Sequence, residues 1–239
     1  MRITFKKDNT IQVFRLGKTA NKKISNGNEK IVQTYTFSTD QFEYVLNNKK
    51  CDFKTFFSLD AKNCFDCPFS ANSGNAKCYT HKFMQYSGFV GMLRSIVKEF
   101  GNLNAIPEYS DHIVDKIVDI SKNVYVRFGT YGEPTMHPLS LVSKVSEASK
   151  NWTEYTHQYF KKPEYNEYFM ASTHNKLQAK TAKDKFGFRS FIAVKENNKG
   201  MGVICPASKE AGYKSNCATC GLCSGIKGKG KKDVVILEH

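Results

Sequence analysis

Two groups of cysteines carry the strongest chemical signal in this chain of 239 residues. One group is Cys205, Cys217, Cys220 and Cys223, a Cys-Pro pair followed by C-x2-C-x2-C. Thiolates three residues apart on a short loop converge on one soft cation, and a remote fourth closes a tetrahedron. The earlier group, Cys64, Cys67 and Cys78, reads C-x2-C-x10-C and offers three ligands. Its fourth is open between Cys51, the only other cysteine, and His81, three residues after Cys78. Zinc in a closed structural site is the first choice for the later group. The same spacing is ferredoxin-like, so a [4Fe–4S] cluster is the alternative.

The chain opens MRITFKKDNT, without the apolar core of a signal peptide, and no apolar run approaches the ~20 residues of a membrane span. A cytoplasmic location follows as the expectation. Thiols stay reduced there, which favours metal over disulfides. The net charge of +14 is spread along the chain and suits a polyanion partner, because Lys and Arg contacts to phosphate drive nucleic-acid binding. No strongly amphipathic basic helix argues for a membrane surface.

The second chemical signal is a series of polar residues at expected strand ends: Asp60, Arg127, Glu133, His157, Ser172, His174 and Cys205. In parallel α/β folds, functional groups gather at the carboxyl edge of the sheet. GTYGEPTMHP (129–138) is the densest segment. Gly129, Gly132 and a proline fix an unusual backbone around Tyr131 and Glu133. That carboxylate suits a nucleophile, a general base or a partner to a cation. Its bland alternative is a cap on the helix starting near Pro138. The candidate catalytic set is Glu133, Asp60 and His157. Arg127, Gly129, Tyr131, Gly132, Tyr155, Ser172 and His174 form the candidate substrate-binding set.

The elements that must position these residues follow from periodicity. Residues 1–50 read as one or two hairpins or an edge addition, built on Ile11–Arg15 and Ile31–Phe37. Thr55–Leu59 reads as a short strand leading to Asp60. Helices are expected over 79–100, ending at Gly101, over 109–121 and over 138–150. Tyr79, Phe83, Tyr86 and Phe89 fall at helical spacing and read as core. Strands are expected at Val124–Phe128, Trp152–His157, Glu167–Ser172, Phe188–Val194 and Met201–Ile204. The alternation predicts an α/β fold with a parallel sheet, as a small or incomplete (β/α) barrel bearing the cysteine-rich segments. The division is an N-terminal β-hairpin extension (1–50), an α/β catalytic domain (51–225) and a basic tail (226–239). Leu237-Glu238-His239 in that tail looks like the start of a purification tag.

The segments NCFDCPFSANSGNAKCY (63–79), VRFGTYGEPTMHP (126–138), WTEYTHQY (152–159), MAST (170–173) and ICPASKEAGYKSNCATCGLCSG (204–225) together resemble a group of phage-encoded, cysteine-rich proteins. That group is similar to the DpdA-type transglycosylases, themselves similar to tRNA-guanine transglycosylases. The resemblance implies an enzyme of the infected host cytoplasm that exchanges guanine in DNA for a 7-deazaguanine and so shields phage DNA from restriction nucleases. It implies a barrel, a carboxylate nucleophile, a zinc site, DNA rather than RNA as partner, and a free 7-deazaguanine base as co-substrate. Glu133 would attack C1′, with Arg127 and His157 positioning base or phosphate. The transglycosylase zinc pattern uses C-x-C-x2-C plus histidine, whereas this chain offers four cysteines. Two alternatives stand beside this one. GTYGEP resembles the Gly-Gly-Glu-Pro segment of radical SAM enzymes, although C-x2-C-x10-C departs from their C-x3-C-x2-C. A non-enzymatic zinc module that binds nucleic acid is the other.

Overall fold

Alternating apolar residues build the first three strands. β1 (Arg2–Lys7) and β2 (Thr10–Gly17) turn through Asp8 at φ 51° and pair antiparallel. β2 then pairs antiparallel with β3 (Ile31–Ser38). Ile11, Val13, Tyr35 and Phe37 face one core, and Phe14 and Val32 face another. Both faces are therefore buried, as a strand inside a layered α/β fold requires. The computed structural model describes residues 1–65, 67–73, 78, 80–196 and 200–237.

The polypeptide next folds into helices on one side of these strands. α1 (Thr39–Asn47) starts with a capping box, Ser38 taking the Gln41 N–H and Gln41 returning to the Ser38 N–H. α2 (Phe53–Ser58) and the single-turn α3 (Ala61–Cys64) follow. The expected strand at Thr55–Leu59 is thus a helix. Asp52 caps it by accepting from the Thr55 N–H, which sets a helical start that the apolar run alone did not reveal. α4 (Phe83–Phe100) ends at Gly101 as expected. Its residues Tyr86, Phe89, Val90, Leu93 and Ile96 cover the Tyr35–Phe37 face. α5 (Asp111–Ser121) and α6 (Leu139–Ala148) cover the opposite face around Val126 and Phe128 of β4 (Tyr125–Tyr131).

From β3 onward the pairings are parallel: β3 with β4, and β4 with β5 (Asn151–Thr153). The second sheet has the order β6–β7–β8–β10–β9, all parallel. Its strands are β6 (Tyr155–Thr156), β7 (Met170–Thr173), β8 (Ser190–Val194), β9 (Val203–Ile204) and β10 (Val234–Leu237). α7 (Lys176–Phe186) covers one face, and the Cys205 loop with α8 (Cys217–Cys220) lies towards the other.

The fold is α/β with two five-stranded sheets rich in parallel pairs. No barrel forms among the described residues. The two sheets part at Glu154, between β5 and β6. Its N–H donates to the Cys223 carbonyl instead of a neighbouring strand, so the expected strand over 152–157 is split in two. The C-terminal reading also changes. Val234–Leu237 is an interior strand between β8 and β9, and Leu237 pairs with Val194. The segment before it is pinned by Arg189, whose guanidinium donates to the carbonyls of Leu222, Ser224 and Lys232. Glu238 and His239 lie outside the described residues. The first 50 residues are likewise built in, since β3 pairs with β4 and Gln12 donates to the Met136 carbonyl.

Candidate metal and reaction site

The first cysteine group sits where the helical segment α2–α3 meets the carboxyl ends of β3 and β4. Asn63 makes that junction: its Nδ2 donates to Thr36 O at 2.8 Å, and its carbonyl accepts from the Glu133 N–H at 2.7 Å. Cys64 closes α3, and the Cys67 N–H returns to Cys64 O, so the first two thiols share one tight turn. Cys78 is brought back to them by its N–H bond to Phe69 O. The three thiols feel one another and the carboxylates of Asp60 and Glu133. Burial raises the Cys64 thiol well above its ordinary value and pushes Cys67 up to about 12. Burial also raises Cys78, against the pull of the Thr80 hydroxyl 3.0 Å away.

Two histidines from strand ends join this group. His157 follows β6, and its Nδ1 lies 3.5 Å from Cys67 Sγ. The His174 ring, following β7, stacks on His157 with centroids 5.5 Å apart, and Phe69 packs edge-on to both. His81 turns the other way. Its Nε2 is 3.3 Å from Asp60 Oδ2, and its ring packs on Phe57. Cys51 lies against the α1 end, its Sγ 3.5 Å from Asn48 O. Asp60, expected to end a strand, occupies the cap position of α3 instead.

Glu133 lies in the same place, but its carboxylate is held. It is 5% exposed and caps the 3-10 turn Pro134–Met136. It accepts from the Thr135 N–H, the Thr135 and Thr156 hydroxyls and the His157 N–H. Burial raises its pKa, and these donors pull it back. The capping alternative is therefore real, though on the turn before α6. Tyr131 and Gly132, expected to touch substrate, are structural. Tyr131 is buried against Phe89, and its hydroxyl accepts from Gln41 at 2.7 Å. A Cβ on Gly132, at φ 80°, would stand 2.7 Å from Thr36 O. Tyr155 stacks on Phe191 at 4.2 Å, and Ser172 is buried within β7. The helix cap after Ser172-Thr173 is Asn175.

The second cysteine group occupies a different environment. Cys205, Cys217 and Cys223 pack with Met170, Phe191 and Val234 in an apolar cluster. Cys223 feels the charges of Cys205, Cys217 and Cys220. Burial raises Cys223 well above its ordinary value and raises Cys205 and Cys217 as well. The Arg127 charge acts on Cys217, Tyr125 and Glu154, and Glu154 also feels Glu133. Glu154 is 5% exposed, and burial pushes its carboxyl up to about 8 despite Arg127. Gly129, at φ 62°, leaves room for that carboxyl, which a Cβ would meet at 3.0 Å.

All-sulfur donor sets suit thiophilic ions or iron–sulfur clusters. Cys64, Cys67 and Cys78 near His157, and the later four cysteines, fit such groups in donor type. Among the described residues, however, no set of three or more His, Cys, Asp or Glu side chains is drawn together to hold a metal ion. Comparison with known proteins adds no relative. No family model, curated protein or solved structure matches the chain. The site therefore stands on its own geometry.

Three contributors escaped the sequence reading. Asn63 was hidden beside Cys64, and its structural task has no local signature. Phe69 fell within the cysteine segment without a distinguishing spacing. Glu154 sits in WTEYTHQY, where a charged residue inside an expected buried strand was the available signal.

Proposed function

We propose that this chain is a metal-dependent enzyme acting on nucleic acid. Its reaction centre lies where Cys64, Cys67 and Cys78 meet Asp60, Glu133 and His157, and Cys205, Cys217, Cys220 and Cys223 hold a structural centre. One observation carries the reading: the three-thiol group sits among polar side chains from the strand ends, whereas three of the four later thiols pack in an apolar cluster. Three protein ligands leave a coordination position for a reactant, and four close the shell. A bound centre supplies a Lewis-acid position if it is zinc, or one-electron chemistry if it is an iron–sulfur cluster.

The residues of this chain have separable tasks around that centre. Glu133 fixes the His157 backbone and the two threonines beside it. His157 and Phe69 wall the side of Cys67, and His81 is oriented by Asp60. The charge of +14 supports a phosphate-rich substrate.

Guanine exchange in DNA through a carboxylate nucleophile is the second reading. It is favoured by the four donors on Glu133, which orient the carboxylate although burial still raises its pKa overall. Anaerobic purification with elemental analysis and a visible spectrum tests the centre. Nucleoside mass spectrometry of DNA and RNA from expressing cells, with and without added 7-deazaguanine base, tests the reaction. Stoichiometric metal and an altered nucleoside that is lost in Cys64→Ser support the proposal. Absence of both ends it. Complete loss in Glu133→Gln with metal retained would shift the choice to base exchange.

A further inference from the structure

The basic segment 225–232 takes no part in the reaction proposed above, yet the structure holds it in one conformation. Its glycines face inward. A Cβ at Gly225 would collide with the backbone of Glu167, and one at Gly228 with Ser224. A Cβ at Gly230 would stand 2.5 Å from an Arg189 guanidinium nitrogen. The Ile226 N–H donates to Asn166 O and the Lys227 N–H to Glu167 O, both at 3.0 Å. Arg189 holds the other end through the Lys232 carbonyl. The alternation of glycine and lysine therefore packs the glycines and leaves Lys229, Lys231 and Lys232 exposed.

Lys231 and Lys232 line a cavity of ≈ 400 Å³ together with Lys183, near the end of α7. Topology fixes its place. Arg189, Gly202 and Asp233 also line it, and each immediately precedes one of the neighbouring parallel strands β8, β9 and β10. The cavity thus lies at the amino edge of the second sheet, whereas His157 and His174 follow the carboxyl ends of β6 and β7. Its charge is one-sided: three lysines and Arg189 stand against one carboxylate, Asp233. That carboxylate already accepts from the Ser190 N–H at 2.7 Å. Arg189 donates to three carbonyls, which satisfy its N–H groups without cancelling its charge. The nearby Lys180 and Lys227 pair with Asp184 and Glu167, but Lys183, Lys231 and Lys232 form no ion pair among the described residues. Lys231 has only a long contact, 3.5 Å to the Ile226 carbonyl. The end of α7 would oppose an anion, but Gly187 caps it by donating to the Ala182 and Lys183 carbonyls.

We propose that this cavity binds a phosphate group, carried by a nucleotide or by a nucleic-acid strand, with Lys183, Lys231 and Lys232 as its counter-charges. Its volume falls within the range of small-molecule sites. Met201 and Ile226 give the wall an apolar part for the group that bears the phosphate. Lysines on a fixed backbone lose less freedom on binding than those of a mobile tail, which strengthens the contact. The site lies on the opposite sheet edge from the strand-end histidines and needs neither the metal nor the reaction centre.

The test is isothermal titration of the full chain with inorganic phosphate, AMP, adenosine and a short oligothymidylate at two salt concentrations. The parent should bind phosphate-bearing probes and not adenosine. Lys183→Gln/Lys231→Gln/Lys232→Gln should weaken that binding about 10- to 100-fold. Lys98→Gln/Lys144→Gln/Lys150→Gln, an equal change of charge elsewhere, should leave it within about 2-fold. All six side chains are exposed, so both variants should keep the circular dichroism of the parent. AMP bound more tightly than the oligomer supports the site with a nucleotide as its ligand. The oligomer bound more tightly, with a steeper salt dependence, supports it with a strand as its ligand. Adenosine bound as tightly as AMP, equal weakening by the two triple variants, or a parent that binds no probe would each overturn the site.

Discussion

The two cysteine regions use the same side chain in opposite settings. Around Cys64, Cys67 and Cys78 the neighbours are polar: Glu133 and His157 from loops after strands, Asp60 from the α3 cap and the Thr80 hydroxyl. Around Cys205, Cys217 and Cys223 they are Met170, Phe191, Val234 and the pinned C-terminal segment. Three ligands amid polar groups suit a site that must admit a reactant. Four ligands in a packed cluster suit one that must not. Under the proposal above, ligand number and surroundings would separate a reaction centre from a structural one more clearly than cysteine spacing does.

The largest predicted effect would break that contrast outright. Cys223→Ser should abolish cooperative unfolding of the second sheet, because a structural thiolate centre contributes on the order of 10 kcal/mol. Cys64→Ser should leave the urea midpoint within about 1 kcal/mol of the parent and remove activity. Circular dichroism during urea titration checks both. Equal destabilisation by the two changes would erase the distinction.

Arg189→Met comes next. It strips three carbonyl acceptors of their shared donor and frees the segment that β10 needs. A loss of about 2–4 kcal/mol in urea denaturation is expected.

A pH effect sharpens the picture on the first sheet. His137 is buried, with Nδ1 2.7 Å from Gln12 Oε1 and Nε2 3.0 Å from Thr34 Oγ1. Burial depresses it from its ordinary value of 6.5 to about 3. The unfolded chain takes up this proton near pH 6.5, and the folded chain only near 3. Its contribution is therefore complete above pH 6.5 and declines as pH falls towards 3, by at most roughly 1.4 kcal/mol per pH unit. Urea midpoints at pH 7 and pH 4.5 measure the slope, and His137→Gln should flatten it. The smallest effect is expected from Gly129→Ala. Positive φ and the approach to Glu154 should cost about 1–2 kcal/mol.

The parts of this fold legible in sequence were those written in local pattern. α4 ends at Gly101 and α5 spans the predicted amphipathic run, because apolar spacing and caps lie within a few residues of one another. The parallel strands from β4 to β9 were also visible as apolar runs. Thr55–Leu59 was not, since five residues of mixed pattern fit strand or helix and the Asp52 cap decided it. Nor was β10, whose Val-Val-Ile-Leu follows a Gly- and Lys-rich stretch that reads as solvated until Arg189 pins it. Within the site, spacing grouped the cysteines in sequence but could not say which polar residues they would meet. Arg127 and Glu133 are six residues apart, and the buried Glu154 carboxyl feels both. His157 and Cys67 are ninety apart in sequence and touch.

The most direct test is the metal content of anaerobically purified protein, parent against Cys64→Ala/Cys67→Ala/Cys78→Ala. Two centres in the parent, and a folded triple variant retaining one of them, is the predicted result. A reduced parent with no stoichiometric zinc or iron, or a triple variant that retains all of its metal, would contradict the account.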